Sequence, residues 1–161
     1  MMTSPRSFAR DTAFFVALLA TSVALGGALA HAFELPNKIG LGRDAYFVVQ
    51  QIYAGWNRLG FVLLAELAGM IAVIYLYRGE ARVLWPAGAA LAALIAAQIV
   101  FWVWTFPANQ ATANWTRQPA NWEALRAQWE YSHLAGAAFQ TIAMAALILA
   151  VLRRSPRHTN L

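Results

Sequence analysis

Residues 59–77 read Leu-Gly-Phe-Val-Leu-Leu-Ala-Glu-Leu-Ala-Gly-Met-Ile-Ala-Val-Ile-Tyr-Leu-Tyr, with one charged side chain, Glu66, near the middle. A helix of about 20 apolar residues, rising 1.5 Å per residue, spans the ~30 Å hydrocarbon core of a bilayer. No water reaches that core, so such a run must satisfy its own backbone hydrogen bonds as a helix. Three further runs have the same character, at 12–32, 83–106 and 134–152. None alternates like a barrel strand. The expected fold class is all-α: an integral membrane four-helix bundle, one domain over 1–161, with a polar tail at 153–161. Residues 46–56 are expected to extend the second span backward as helix.

Composition agrees with this reading. Hydrophobic residues make up 60% of the chain and charged residues 12%, against about half and about a quarter in soluble domains. The absence of cysteine excludes disulfides, thiolate metal sites and cysteine nucleophiles. A net charge of +5 would suit nucleic acid in a soluble protein, but the basic residues sit at the ends of apolar runs. The expected partner is therefore the lipid bilayer, not nucleic acid. Arg6 and Arg10 before the first run, and Ala28-Leu29-Ala30 at its end, also match a signal peptide and its cleavage site. The reading taken is a retained helix, because the polar residues just beyond it belong to the cluster described below.

Four crossings put both termini on one side. Arg6, Arg10, Arg78, Arg82, Arg153, Arg154 and Arg157 then oppose Lys38, Arg43, Arg58, Arg117 and Arg126. The first set hugs the helix ends, where the positive-inside rule acts. The expectation is a cell (inner) membrane protein with both termini cytoplasmic. The two long connections, 33–58 and 107–133, would form an extracytoplasmic cap, and Arg78-Gly79-Glu80 a tight hairpin. In the cap, Asn121 is placed to cap a helix that begins near Trp122 and runs into the fourth span, with Glu123 at its positive end. Trp56, Trp115, Trp122, Trp129 and Tyr53 are expected to form an aromatic belt at the interface. Gly26-Gly27, Gly69 and the alanines of 87–97 predict close helix contacts.

Glu66 is the most informative single residue. A carboxyl group in hydrocarbon must find partners or stay protonated. Counting inward along the other helices puts Thr21, Ser22, Gln98, Gln140 and Thr141 at about its level. This set reads as a buried site, a proton path, or interhelical glue. A second level lies at the outer mouth: His31 and Glu34, Asn57 and Arg58, Asn109, and then Arg126, Glu130 and His133. Arg126, Trp129, Glu130 and His133 share one helix face, with Gln140 beneath. Gln98, Trp102, Thr105 and Asn109 form a facing stripe. His31 and His133 come from different helices at one depth. Two imidazoles could bind a haem iron as cofactor ligands, or with Glu34 and Glu130 (or Glu66) a non-haem metal. The ordinary reading, histidines at the interface bonded to water or a carbonyl with no cofactor, is favoured over either. Asn114-Trp115-Thr116 matches a glycosylation acceptor, meaningful only in a eukaryotic secretory pathway.

The block Phe106-Pro107-Ala108-Asn109, Trp115, Pro119, Trp122, Leu125-Arg126, Trp129-Glu130 and His133 resembles the third-to-fourth helix segment of a large four-helix membrane family. That family has no general assigned activity and includes the fungal anthrone oxygenases. The opening Ala30-His31-Ala32-Phe33-Glu34-Leu35-Pro36 is similar to its bacterial members. The resemblance implies a four-helix bundle and oxygenase-like chemistry. Members often carry a basic residue three positions after the histidine, where this chain has Gly136. The functional expectation is an oxidoreductase acting on a hydrophobic small molecule. His133 would serve as base, Glu66 as buried acid, and Asn109 and Arg126 as positioning groups. The alternatives are a non-catalytic accessory or structural subunit, and a proton-linked transporter.

Overall fold

The structure, a computed structural model, describes residues 5–154. The tail from Ser155, with Arg157 and His158, and the Arg6 side chain lie outside the described residues. The described residues are helical throughout, apart from turns. They form α1 (Pro5–Lys38), α2 (Arg43–Gln50), α3 (Leu59–Leu76), α4 (Ala81–Val100), a π-helical turn (Phe101–Thr105), α5 (Phe106–Ala111) and α6 (Trp122–Leu152). Four stretches are long and apolar enough to cross a membrane: Phe8–Lys38, Trp56–Leu76, Ala81–Ala111 and Trp122–Leu152. The chain is a multi-pass membrane protein.

The four long helices pack in a ring. α1 lies against α3 and α6, and α4 lies against α6 and α3. Small residues set the spacing. Ala87, Ala90 and Ala97 on α4 are buried together with Ala143, Ala146 and Ala150 on α6, which lets the two backbones approach closely. Between α1 and α3 the approach is tighter still. A Cβ added to Gly69 would lie 2.7 Å from the backbone N of Ala17, so only glycine fits there. Gly26 meets nothing within 4 Å, so the close contact expected there is absent. Phe15, Leu19, Phe61, Leu64, Ile99 and Ile142 point outward, as lipid-facing residues do. At the end that carries the termini, Arg10 pairs with Glu80 at 2.8 Å and Arg154 with Asp11 at 3.1 Å. The chain turns there at 77–80, as the Arg78-Gly79-Glu80 hairpin predicts.

Several local expectations are corrected at the opposite end, hereafter the cap end. α1 does not stop near residue 32 but continues through Pro36 to Lys38, because Lys38 is drawn into a buried cluster. Residues 46–56 do not extend α3. α2 ends at Gln50, and Gly55, at φ 87°, breaks the path between two short 3₁₀ turns. The third span continues past Phe106, because the π-helical turn just before Pro107 absorbs the amide that proline lacks. α6 is one helix of 31 residues from the cap into the membrane, as expected, but the Asn121 side chain makes no capping bond. Of the expected aromatic belt, Tyr53, Trp56 and Trp122 are half-buried, but two members are not at the surface. Trp115 and Trp129 are 3% exposed and pack inside, whereas Trp102 and Trp104 face outward. Trp102 therefore does not belong to an inward polar stripe.

Candidate functional site

The site lies at the cap end, where α1, α6 and the 43–58 segment meet. His31 of α1 and His133 of α6 bring their rings to 4.1 Å between centroids. Trp129, one turn before His133, lies against that ring at 3.9 Å with the planes tilted by 44°, and meets His31 edge-on at 5.0 Å. Tyr53 and Trp56 close the far side of His31, at 4.5 and 5.2 Å. The two imidazoles expected to share a depth thus share an aromatic cage.

The cage is held in orientation by hydrogen bonds. The Trp129 indole N–H donates to Asn109 Oδ1 at 2.8 Å. Asn109 therefore orients the ring that covers His133. His133 Nδ1 lies 2.9 Å from the Trp129 carbonyl oxygen. A carbonyl can only accept, so Nδ1 carries the hydrogen and the lone pair of the neutral ring sits on Nε2. His31 Nδ1 is buried without a partner. Thr105 and Ser132 tie the π-helical turn to α6 at 2.7 Å. Arg126 turns away from the histidines. Its guanidinium donates to the Leu41 carbonyl at 2.6 Å and lies over the Trp122 ring at 4.6 Å, so it fastens the cap.

Beside the cage is a charge cluster centred on Lys38, which is 2% exposed. Lys38 Nζ lies 3.3 Å from Glu130 and 3.4 Å from Glu34. It also donates to the Tyr53 hydroxyl at 2.5 Å, and it sits over the Tyr53 and Trp129 rings at 4.6 and 4.9 Å. Tyr53 in turn donates to Glu34. On the other side Tyr46 donates to Glu130 at 2.9 Å, and Gln50 donates to Tyr46 at 2.7 Å. Burial, and then the hydrogen bond to Glu34, push the Tyr53 phenol above its usual range. Burial, and then the Glu130 charge, do the same for Tyr46. Sequence reading counted Lys38 as a topological charge and missed its role. The available signal was its place one turn after Glu34, the spacing of a helical ion pair.

This geometry bears on the metal and haem candidates. Among the described residues no group of three or more His, Asp or Glu is arranged to hold a metal ion. Glu34 and Glu130 already face a cation, the Lys38 ammonium. Two rings tilted by 49° with centroids only 4.1 Å apart leave no space for a haem iron between them, so the pair does not fit axial ligation of one macrocycle.

Glu66 forms a separate level. It is fully buried and accepts from Gln140 Nε2 at 3.2 Å, with Thr21 beside it. It makes no hydrogen bond or ion pair with either histidine. Its partner Gln140 lies seven residues beyond His133, about 10 Å along α6. The expected polar level at Glu66 therefore exists, but without all of its members. Ser22 and Thr141 bond back to their own helices, at 2.7 and 2.8 Å, and Gln98 is only half-buried. An open, largely apolar groove of about 450 Å³ runs along the lipid-facing side between α1 and α3. Val23, Gly27, Leu59 and Val62 line it, and Trp56 forms the wall it shares with His31. No family model, curated protein or solved structure matches this chain.

Proposed function

We propose that this protein is an oxygenase-like membrane oxidoreductase that takes a proton from a hydrophobic small molecule at the histidine pair. The carrying observation is the pairing itself: a buried imidazole, His31, and a half-buried one, His133, from separate helices, 4.1 Å apart, in a cage of aromatic rings. The tie from His133 Nδ1 to the Trp129 carbonyl leaves Nε2 as the basic atom, which a general base within hydrogen-bond reach of the substrate requires. Trp56, half-buried where it lines the groove, offers a ring face to a planar substrate, and the groove gives a route from lipid. Asn109 acts as a positioning residue through Trp129. The resemblance carried by Phe106–Asn109, Trp129-Glu130 and His133 supports dioxygen as the oxidant. Oxidation of a CH₂ flanked by aromatic rings to a carbonyl places one oxygen atom in the product and the other in water. The basic residues near the terminal ends of the spans favour a cell (inner) membrane with both termini cytoplasmic.

The test uses purified protein in lipid nanodiscs with a lipophilic anthrone as probe and dioxygen uptake as readout. Uptake above empty nanodiscs, lost at least tenfold in His133→Ala with the helical signal unchanged, supports the reading. A second reading, a purely structural cap, is favoured by how closely Trp129, Tyr53 and Trp56 fill the space around His31. Wild-type uptake equal to empty nanodiscs, together with a His133→Ala protein that fails to assemble, would establish that second reading.

A further inference from the structure

The level of Glu66 is separate from the histidines and unused by the reading above. Three helices contribute to it: Thr21 from α1, Glu66 from α3 and Gln140 from α6. Thr21 and Glu66 are 0% exposed and Gln140 is 4% exposed. One hydrogen bond joins them, from Gln140 Nε2 to Glu66 Oε2 at 3.2 Å. Three oxygens are left buried without a partner: Glu66 Oε1, Gln140 Oε1 and Thr21 Oγ1. Thr21 differs from its counterparts in this respect. Ser22, Thr112 and Thr141 each give their hydroxyl to a carbonyl of their own helix; Thr21 does not, and faces the carboxyl instead.

Counting donors and acceptors decides what this cluster binds. With Glu66 ionised, Glu66 Oε1 and Gln140 Oε1 both need a donor; the second Gln140 N–H reaches neither, which leaves the Thr21 hydroxyl for the two of them. One acceptor stays unfilled, and among the described residues no lysine, arginine or histidine pairs with the carboxylate. One added proton closes the count. Glu66 Oε1–H donates to Thr21 Oγ1, Thr21 donates to Gln140 Oε1, and Gln140 Nε2 donates back to Glu66 Oε2. We infer that Thr21, Glu66 and Gln140 form an intramembrane proton-binding site, with the proton resident on Glu66 inside a closed ring of three hydrogen bonds. The ring is pinned from below. Gly69 lies one turn after Glu66 and Ala17 one turn before Thr21, and their contact holds α1 against α3. The inference stands whether or not the histidines do chemistry.

Infrared spectroscopy of the full chain in nanodiscs reads the proton directly. The expected result is a protonated-carboxyl C=O band in the wild type that is lost in Glu66→Gln. Gln supplies an N–H where the acid supplies O–H, so Glu66→Gln should fold and melt like the wild type. Glu66→Leu, which strands Gln140, should melt lower. Dicyclohexylcarbodiimide, which attacks protonated carboxyls in apolar surroundings, should add once at Glu66 and not at all in Glu66→Gln. Three results would overturn the assignment: no band difference between wild type and Glu66→Gln, failure of Glu66→Gln to fold, or protection of Glu66 from carbodiimide by sodium but not choline. The last would make the three oxygens a sodium site.

Discussion

Replacing Lys38 with methionine keeps the apolar stem and removes the charge. The ammonium lies 3.3 Å from Glu130, whose side chain is 0% exposed, and 3.4 Å from Glu34, whose side chain is 37% exposed. At an effective dielectric near 20, opposite charges at about 3.3 Å attract by about 5 kcal/mol before desolvation is counted. Removing one member of a buried pair typically costs about 3–5 kcal/mol, because the survivor stays buried and unpaired. The Glu34 side chain is more than a third exposed, and screening leaves its arm worth under about 1 kcal/mol. Lys38→Met should therefore lose about 3–5 kcal/mol, nearly all of it through Glu130. The double variant Lys38→Met/Glu130→Gln removes both charges and keeps an acceptor for Tyr46, so it should recover about half of that loss. Unfolding by SDS titration, followed by tryptophan fluorescence, measures both. A Lys38→Met protein within about 1 kcal/mol of wild type, or a double variant no better than the single, would refute the assignment of Lys38 as Glu130's counter-charge.

Gly69→Ala drives a methyl group into the α1 backbone at Ala17, where the nearest atom lies at 2.7 Å. It should destabilise the bundle by about 1–3 kcal/mol in the same titration, whereas Gly26→Ala, with open space around it, should be neutral. Tyr46 and Tyr53 ionise less readily than ordinary phenols. Raising the pH through about 10 should therefore leave their share of the tyrosinate absorbance missing until the cap unfolds. Full ionisation of all five tyrosines in the folded protein near the ordinary value would contradict the buried network around Lys38.

The four spans were legible because hydropathy over ~20 residues is a property of the sequence alone. Depth counting also found real neighbours. It set Glu66 level with Gln140 and Thr21, and His31 level with His133. It failed wherever the rotation of a helix decides. Trp104 and Trp129 sit at similar depths, since Gln128 donates to the Trp104 carbonyl, yet one faces out and the other roofs the histidines. Hydropathy cannot separate a tryptophan at a lipid interface from one under a cap, since both places suit an amphipathic ring. Lys38 was misjudged because the first span was read as ending near residue 32, where the apolar run stops. A proline in the last turn lacks only its own amide, and the ion pairs beyond it hold the helix on. Gly55 shows the reverse case: one left-handed residue, at φ 87°, separates α2 from α3 although the polarity of the segment permits continuous helix.

The division of the polar partners between the two halves of the chain has a consequence for biogenesis. Lys38 leaves the ribosome long before Glu130, and Glu66 leaves it 74 residues ahead of Gln140. While only α1 and α3 have been made, Glu34 can serve Lys38 from its own helix and Thr21 can serve Glu66 from the neighbouring one. The last helix completes both arrangements at once, so it acts as the latch of assembly. A polypeptide stopped before residue 122 would hold Glu66 inside the bilayer with Thr21 but without Gln140, a mark by which membrane quality control can tell unfinished chains from finished ones.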